Sequence, residues 1–155
     1  MRVVDLTPAF AKTIACWRYP GAYAIYDLTD AARLVPGTDY AVIDDQEHLV
    51  GHCSLGVAKD SPGTLDLCFA LDPRRMRQGR GHDFVGTVLR FAHRSAAARD
   101  CVDVQVTLHD WNQVAIAICR DFGMREPLGA QAVPGQPLRL RLAVRPAALL
   151  TATGH

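Results

Sequence analysis

The chain has 155 residues, 49% of them hydrophobic and 21% charged, which suits one folded domain with a single core. Its net charge of +1 argues against the broad basic field that non-specific nucleic-acid binding requires. No apolar run reaches the roughly 18 residues of a membrane helix, and Met1–Asp5 lacks the apolar part of a signal peptide. We therefore expect a cytoplasmic protein that binds neither nucleic acid nor membrane.

The hydrophobic pattern predicts both helices and strands. Thr7 and Pro8 are typical of a helix start, and Gly123 is typical of a helix end. The order ααβββαβαβ predicts an α/β domain with a mixed sheet over residues 1–145, followed by a flexible tail over 146–155. The predicted elements are helices over 7–17 and 29–34, strands over 40–44, 48–57 and 64–71, a helix after 81, a strand over 102–108, a helix over 112–122 and a strand over 138–144.

The most informative stretch, Leu65–His82, is predicted to form a buried strand, an arginine-rich turn and a helix start. Gly79 and Gly81 let a ligand approach the backbone, and N–H groups at a helix N-terminus attract phosphate. Neither the spacing of a dinucleotide-binding loop nor a P-loop is present, and an ordinary basic turn is the alternative. The arginines whose guanidinium groups suit phosphate oxygens are Arg74, Arg75, Arg77 and Arg80. The following helix has one apolar face, formed by Phe84, Val85, Val88, Leu89, Ala92 and Ala96.

The five cysteines form no C-x-x-C pair, and their odd number and mostly apolar surroundings predict buried, reduced thiols. His48, His52 and Cys53 are the nearest approach to a metal-ligand group. On a strand, however, His52 and Cys53 face opposite sides, and their spacing matches no standard zinc pattern. We expect no metal.

Three stretches resemble motifs of the GNAT (GCN5-related N-acetyltransferase) superfamily. The first is the strand end Leu71-x-Pro73 followed by Gly79-x-Gly81, and the second is Asp110-Trp111-Asn112 at a strand end. The third, from Asn112 to Met124, resembles that family's asparagine-led helix. The segment 17–28 is also similar to a bacterial subset of small acetyltransferases. The resemblance covers most of the chain and implies a mixed, mainly antiparallel sheet with flanking helices.

The resemblance also implies acetyl-CoA as cofactor and transfer of its acetyl group to a primary amine of a small molecule, amino acid or peptide. The strand before the loop would pair with the pantetheine amides as an added strand would. Asn112 resembles an asparagine that contacts the cofactor arm, with a plain helix cap as the alternative. The residues implied to hold the cofactor are Phe69, Ala70, Leu71, Arg77, Gln78, Gly79, Arg80, Gly81, His82 and Asn112.

The chain departs from the family pattern at two positions. Met76 replaces the usual glutamine or arginine, a change that phosphate binding by backbone amides should tolerate. Cys119 stands where many members have a tyrosine that protonates the departing CoA thiolate. Its thiol is a weak acid of shorter reach, so Cys119 is either the catalytic acid or a buried core residue.

Asp66 is the predicted general base, because an alkylammonium acceptor must lose a proton before it can attack a thioester. Its strand is otherwise apolar, so this carboxylate either faces a cleft or solvent, or is costly to bury. Trp17, Tyr19, Tyr23 and Tyr26 are predicted to line the acceptor site, with packing of the helices on the sheet as the alternative.

A non-catalytic acyl-CoA-binding module with the same fold is the alternative function, because Cys119 replaces the usual acid. The late strand over 138–144 has arginines on its exposed face, which makes a homodimer through that face plausible.

Overall fold

The structure is a computed structural model that describes residues 1–131 and 133–144. The predicted tail over 146–155 lies outside the described residues. The elements are β1 (Arg2–Asp5), α1 (Pro8–Ala15), 3-10 helices at Gly21–Tyr26 and Ala31–Arg33, β2 (Asp39–Ile43), β3 (Leu49–Ala58), β4 (Ser61–Leu71), a 3-10 turn at Pro73–Arg75, α2 (Gly81–Ala98), β5 (Asp103–Leu108), α3 (Gln113–Asp121) and β6 (Leu138–Ala143).

The strands of the described residues form one six-stranded sheet whose order follows the chain from β1 to β6. Strand β1 pairs antiparallel with β2, β2 with β3, and β5 with β6. Strands β4 and β5 pair in parallel, because α2 forms the crossover that parallel neighbours require. The predicted mixed, mainly antiparallel sheet with flanking helices is confirmed.

Contacts divide the chain into two compact units. The first comprises residues 1–54 and 68–88, and the second comprises residues 55–67 and the described residues from 89 onward. Strands β3 and β4 and helix α2 each pass from one unit to the other. The extent of the predicted domain, residues 1–145, stays a prediction.

The core of the first unit forms where α1 and its flanking segments bury their apolar side chains. Thr7 caps α1, its Oγ1 accepting the Phe10 N–H at 3.1 Å, and Pro8 occupies the first turn. The predicted apolar face of α2 is confirmed, since each of its six residues is at most 4% exposed. The buried cluster beside α1 consists of Leu6, Ala11, Ile14, Trp17, Tyr19 and Leu34.

In the second unit, β5 lies between β4 and β6 in the sheet order. Its residues Val104, Gln105 and Val106 are all buried, so both faces of this strand are covered. Helix α3 ends at Asp121, and Gly123 follows with φ +90°, as its helix-stop pattern predicted.

The structure differs from the predicted elements in three places. Strand β1 was missed, because Arg2–Asp5 is a four-residue strand with only two apolar residues. The helix predicted over 29–34 is a single 3-10 turn, Ala31–Arg33, because Pro36 follows closely. The strand predicted over 64–71 begins earlier, since β4 starts at Ser61. Its Pro62 precedes the parallel pairing with β5, which starts at Thr64, so its missing N–H removes no hydrogen bond from that pairing.

Candidate active site

Asp72 organises the turn that follows β4, a role that the sequence reading missed. Its side chain is fully buried and accepts hydrogen bonds from the Arg74 backbone N–H at 2.9 Å, from Nε at 3.2 Å and from Nη2 at 2.8 Å. Its own N–H donates to the Val50 carbonyl at 2.9 Å. Aspartate before proline is a common turn signal and could have identified this residue.

The four arginines of the turn have different roles. Asp72 raises the pKa of Arg74, first through the side-chain hydrogen bond and then through its charge. Arg75 lies 3.9 Å from a carboxylate oxygen of Asp44 and 4.0 Å from one of Asp72. The guanidinium groups of Arg77 and Arg80 have no partner within the described residues. These two arginines, and not all four, are therefore the ones available to an anion.

The backbone of the same turn presents unpaired amides. Arg77 and Gly79 have φ values of +61° and +72°, in the left-handed region that glycine adopts readily and arginine only under constraint. The N–H groups of Arg77, Gln78, Gly79, Arg80 and Gly81 have no acceptor among the described residues. They lie immediately before and at the start of α2. This arrangement is suited to bind an anion.

The three predicted cofactor residues of β4 lie at its end, next to this turn. Phe69, Ala70 and Leu71 are each half-buried. The ring of Phe69 packs edge-on against Phe84 of α2, with 6.0 Å between the centroids. The Leu71 carbonyl accepts a hydrogen bond from the Tyr19 hydroxyl at 2.8 Å. The register between β4 and β5 ends at Asp66 and Gln105, although β4 continues to Leu71.

Asp66 lies in the second unit, where its half-buried side chain accepts a hydrogen bond from Gln105 Nε2 at 2.8 Å. Gln105 is only 2% exposed, and its Oε1 accepts from Arg141 Nε at 2.9 Å. The neighbours Leu65 and Leu67 are buried, so Asp66 alternates to the opposite face of β4, as its position in the strand predicted. Sequence reasoning missed both Gln105 and Arg141.

Cys119 and Asn112 belong to α3 of the second unit. Cys119 is fully buried, and burial raises the pKa of its thiol to about 12. Asn112 caps the helix, its side chain accepting the Ala115 N–H at 3.4 Å. In the structure Asn112 is therefore a helix cap, which was the alternative to a cofactor contact. The burial of Cys119 favours its alternative role as a core residue.

The four predicted acceptor-site aromatics lie in the first unit. Trp17 and Tyr19 are buried, whereas Tyr23 and Tyr26 are partly buried and pack against the same cluster. Burial raises the pKa of the Tyr19 phenol, and the charges of Asp72 and Asp27 raise it further. The Trp17 indole N–H is buried without a partner among the described residues. Of these four aromatics, Trp17 contributes to the wall of a cavity of about 430 Å³, which is lined by Thr13, Cys16, Trp17, Arg18, Pro20, Pro73 and Arg74.

Two of the three residues weighed as metal ligands lie near carboxylates, and His48 Nδ1 is 3.7 Å from Asp44 Oδ2. His52 Nε2 lies 2.8 Å from Asp39 Oδ1. Burial tends to raise the pKa of Asp39, but the hydrogen bonds from His52 and from the Val35 N–H lower it overall. Within the described residues, no group of three or more His, Cys, Asp or Glu side chains could hold a metal ion.

None of the five cysteines forms a disulfide, and the prediction of buried thiols is correct for three of them and wrong for two. Cys53, Cys101 and Cys119 are buried, whereas Cys16 and Cys68 are exposed. Cys68 is exposed because it alternates with the buried Leu67 along β4. No helix in the described part of the chain is long and apolar enough to cross a membrane.

Comparison with known proteins places this fold. No family model and no curated protein matches the sequence. Solved structures do match. A GNAT-superfamily phosphinothricin acetyltransferase from Sinorhizobium meliloti, in complex with AcCoA, superposes with a TM-score of 0.68 at 12% identity over 94% of this chain and 90% of that chain. The ribosomal-protein-S18-alanine N-acetyltransferase of Escherichia coli superposes with a TM-score of 0.60 at 14% identity, over 94% of this chain and 94% of that chain.

A mutant spermidine N-acetyltransferase from Vibrio cholerae is similar with a TM-score of 0.64 at 12% identity, over 91% of this chain and 92% of that chain. At 12% to 14% identity, these similarities show the fold of this chain. The chain has the fold of the GNAT superfamily, as the resemblance of its motifs implied.

Proposed function

We propose that the chain is an acetyl-CoA-dependent N-acetyltransferase that transfers an acetyl group to a primary amine of a small molecule, amino acid or peptide. One observation carries the proposal: the amides from Arg77 to Gly81 have no acceptor among the described residues and lie at the start of α2. The similar structures compared above include a phosphinothricin acetyltransferase in complex with AcCoA and two N-acetyltransferases.

In this proposal the amides hold the pyrophosphate of coenzyme A. Backbone N–H groups and the positive end of the α2 dipole both attract phosphate oxygens. Arg77 and Arg80, which lack partners among the described residues, add charge-assisted hydrogen bonds. Met76 does not weaken this binding, because the donors are backbone groups. Asp72 contributes indirectly, since its bonds to Arg74 fix the first part of the turn.

The pantetheine arm is proposed to extend along the end of β4, from Phe69 to Leu71. The register with β5 stops at Asp66, so an extended ligand can pair with the later β4 residues as an added strand does. The Leu71 carbonyl already accepts the Tyr19 hydroxyl, but a carbonyl has a second lone pair for another donor.

The chemistry requires a proton acceptor for the amine. Bound acetyl-CoA supplies a thioester carbonyl as the electrophile. Asp66 is the proposed base: it precedes Phe69 by three residues on the same strand, about 10 Å along the backbone, and takes one proton from the acceptor's ammonium group. Cys119 stays the candidate acid from the sequence. Its complete burial favours the core alternative, and thiolate is a fair leaving group without an acid.

The proposal specifies the acceptor only as a primary amine. The neighbours in the fold act on acceptors as different as phosphinothricin, spermidine and the alanine of a ribosomal protein. Tyr23 and Tyr26, the partly buried members of the aromatic set, are the proposed acceptor contacts, while Trp17 and Tyr19 contribute mainly to the core. The arginines of β6 are less available for a homodimer than the sequence implied, since Arg139 pairs with Asp60 at 2.9 Å.

The binding test uses Gly81, the first residue of α2. Proline is tolerated at a first helical position, so Gly81→Pro removes one amide donor, and Gly81→Ala retains it as the matched control. We expect calorimetry to show binding of both CoA and acetyl-CoA to the wild type and to Gly81→Ala, and at least about tenfold weaker binding to Gly81→Pro. Absence of heat with either ligand in the wild type would overturn the proposal.

The activity test incubates the protein with acetyl-CoA and a panel of amines that includes spermidine, phosphinothricin and peptides with N-terminal alanine. Acetylated products are identified by mass spectrometry, because the exposed Cys16 and Cys68 would react with a thiol reagent. Acetylation of at least one amine is the expected result. Tight acetyl-CoA binding without turnover on any amine would support the non-catalytic acyl-CoA-binding module instead.

A further inference from the structure

Asp66, Gln105 and Arg141 lie side by side on three adjacent strands of the second unit. Asp66 is in register with Gln105 between β4 and β5, and Gln105 is in register with Arg141 between β5 and β6. Their side chains form a continuous chain of hydrogen bonds of 2.8 Å and 2.9 Å. Gln105, the middle member, is 2% exposed.

Arg141 determines which groups donate and which accept in these hydrogen bonds. A guanidinium group only donates hydrogen bonds, so the bond from Arg141 requires the carbonyl oxygen of Gln105 to face β6. The amide nitrogen of Gln105 must then face β4, and the usual ambiguity between amide oxygen and nitrogen does not arise here. Asp66 Oδ1 therefore accepts a hydrogen bond, while Oδ2 has no partner within the described ranges.

We propose that Gln105 is a positioning residue for acetyl transfer: its amide, oriented by Arg141, holds Asp66 so that Oδ2 takes the proton of the acceptor amine. The inference rests on the proposed function. In the step, an N–H bond of the ammonium breaks, its electron pair stays on nitrogen, and an O–H bond forms at Oδ2. The proton passes to water when the carboxyl group ionises again.

Gln105→Glu tests the orientation most directly, because it is nearly isosteric. The new carboxylate still accepts from Arg141 but has no donor for Asp66, and two carboxylates then face each other. Thr107→Glu is the matched control, since Thr107 is an exposed position two residues along β5. Arg141→Met removes the anchor of the amide, with Arg139→Met as its control on the same strand.

With the best amine from the panel, we expect Gln105→Glu to lower kcat by about tenfold or more, while the KM for acetyl-CoA stays within about twofold. Arg141→Met should lower kcat by a smaller factor, again with little change in the KM for acetyl-CoA. Both controls should retain wild-type kcat. Circular dichroism verifies that each variant is folded. If Gln105→Glu does not fold, the kcat of Arg141→Met decides the test.

A double-mutant cycle with Asp66→Asn separates positioning from a purely structural role. Asp66→Asn alone should lower kcat by about 10²-fold or more, and adding Gln105→Glu should change it little further, because Gln105 acts through Asp66. The inference would be overturned if the double variant lost kcat by the product of the two single factors. An unchanged kcat in either Gln105→Glu or Asp66→Asn would overturn it as well. If the wild type acetylates no amine, the proposed function itself fails.

Discussion

The Tyr19 hydroxyl donates a hydrogen bond to the Leu71 carbonyl, 2.8 Å away and 52 residues along the chain. Tyr19 is 9% exposed and belongs to the buried cluster beside α1. The bond joins that cluster to the last residue of β4, directly before the turn whose amides are proposed to hold phosphate. A residue that the sequence predicted to line the acceptor site therefore supports the end of β4, where the pantetheine arm is proposed to bind.

Tyr19→Phe should lower the free energy of unfolding by about 1 kcal/mol, because it removes one hydrogen bond from a largely buried hydroxyl. The matched control is Tyr40→Phe, whose hydroxyl donates to the Gly37 carbonyl in an exposed setting and should cost less. Urea denaturation of both variants provides the comparison. Equal losses for the two substitutions would contradict the supporting role of Tyr19.

Gly51→Ala should destabilise the first unit by about 2 kcal/mol through overpacking. A Cβ at Gly51 would lie 2.2 Å from Phe84 Cε2 and 3.1 Å from the Ala70 carbonyl oxygen, so the α2 ring would have to move. Gly56→Ala on the same strand is the control, since a Cβ there meets no heavy atom within 4 Å.

Thermal or urea unfolding measures both glycine variants, and Phe84→Leu added to Gly51→Ala should recover part of the loss by shortening the obstructing side chain. A Gly51→Ala variant as stable as Gly56→Ala would show that α2 does not depend on this close approach. Acetyl-CoA binding by the folded variant then reports whether the start of α2 has moved.

Stability should fall at alkaline pH because of two buried thiols. Burial raises the pKa of both Cys119 and Cys53 from 9.0 to about 12, with the charge of Asp39 adding to the effect at Cys53. The unfolded thiols ionise first, so the stabilisation is complete below their unfolded pKa and declines as the pH rises toward 12. Each thiol contributes up to about 1.4 kcal/mol per pH unit.

Urea unfolding between about pH 8.5 and pH 10 measures this slope before the phenol of Tyr19, whose pKa is also raised, adds to it. Cys119→Ala should reduce the slope, and Cys16→Ser, an exposed cysteine, is the control. The same Cys119→Ala protein also distinguishes the two roles that the sequence left open: an unchanged kcat supports the core role of Cys119, and a large loss of kcat supports the acid role.

Much of the fold could be predicted because the relevant signals are local. The apolar face of α2, the cap at Thr7 and the stop at Gly123 each depend on residues within a few positions of one another. The short strand β1 could not, since a four-residue segment carries too little periodicity and forms only through pairing with β2.

The sequence alone determined the class of sheet, the glycine turn before α2 and the face of β4 on which Asp66 lies. Only the tertiary structure decided which arginines of the turn are occupied by Asp72, and that Gln105 joins Asp66 to Arg141 across 39 and 36 residues of chain. The physical reason is range. Periodicity and capping act between neighbours in sequence, whereas a buried polar partner is selected by strand register, which forms only when distant segments pair.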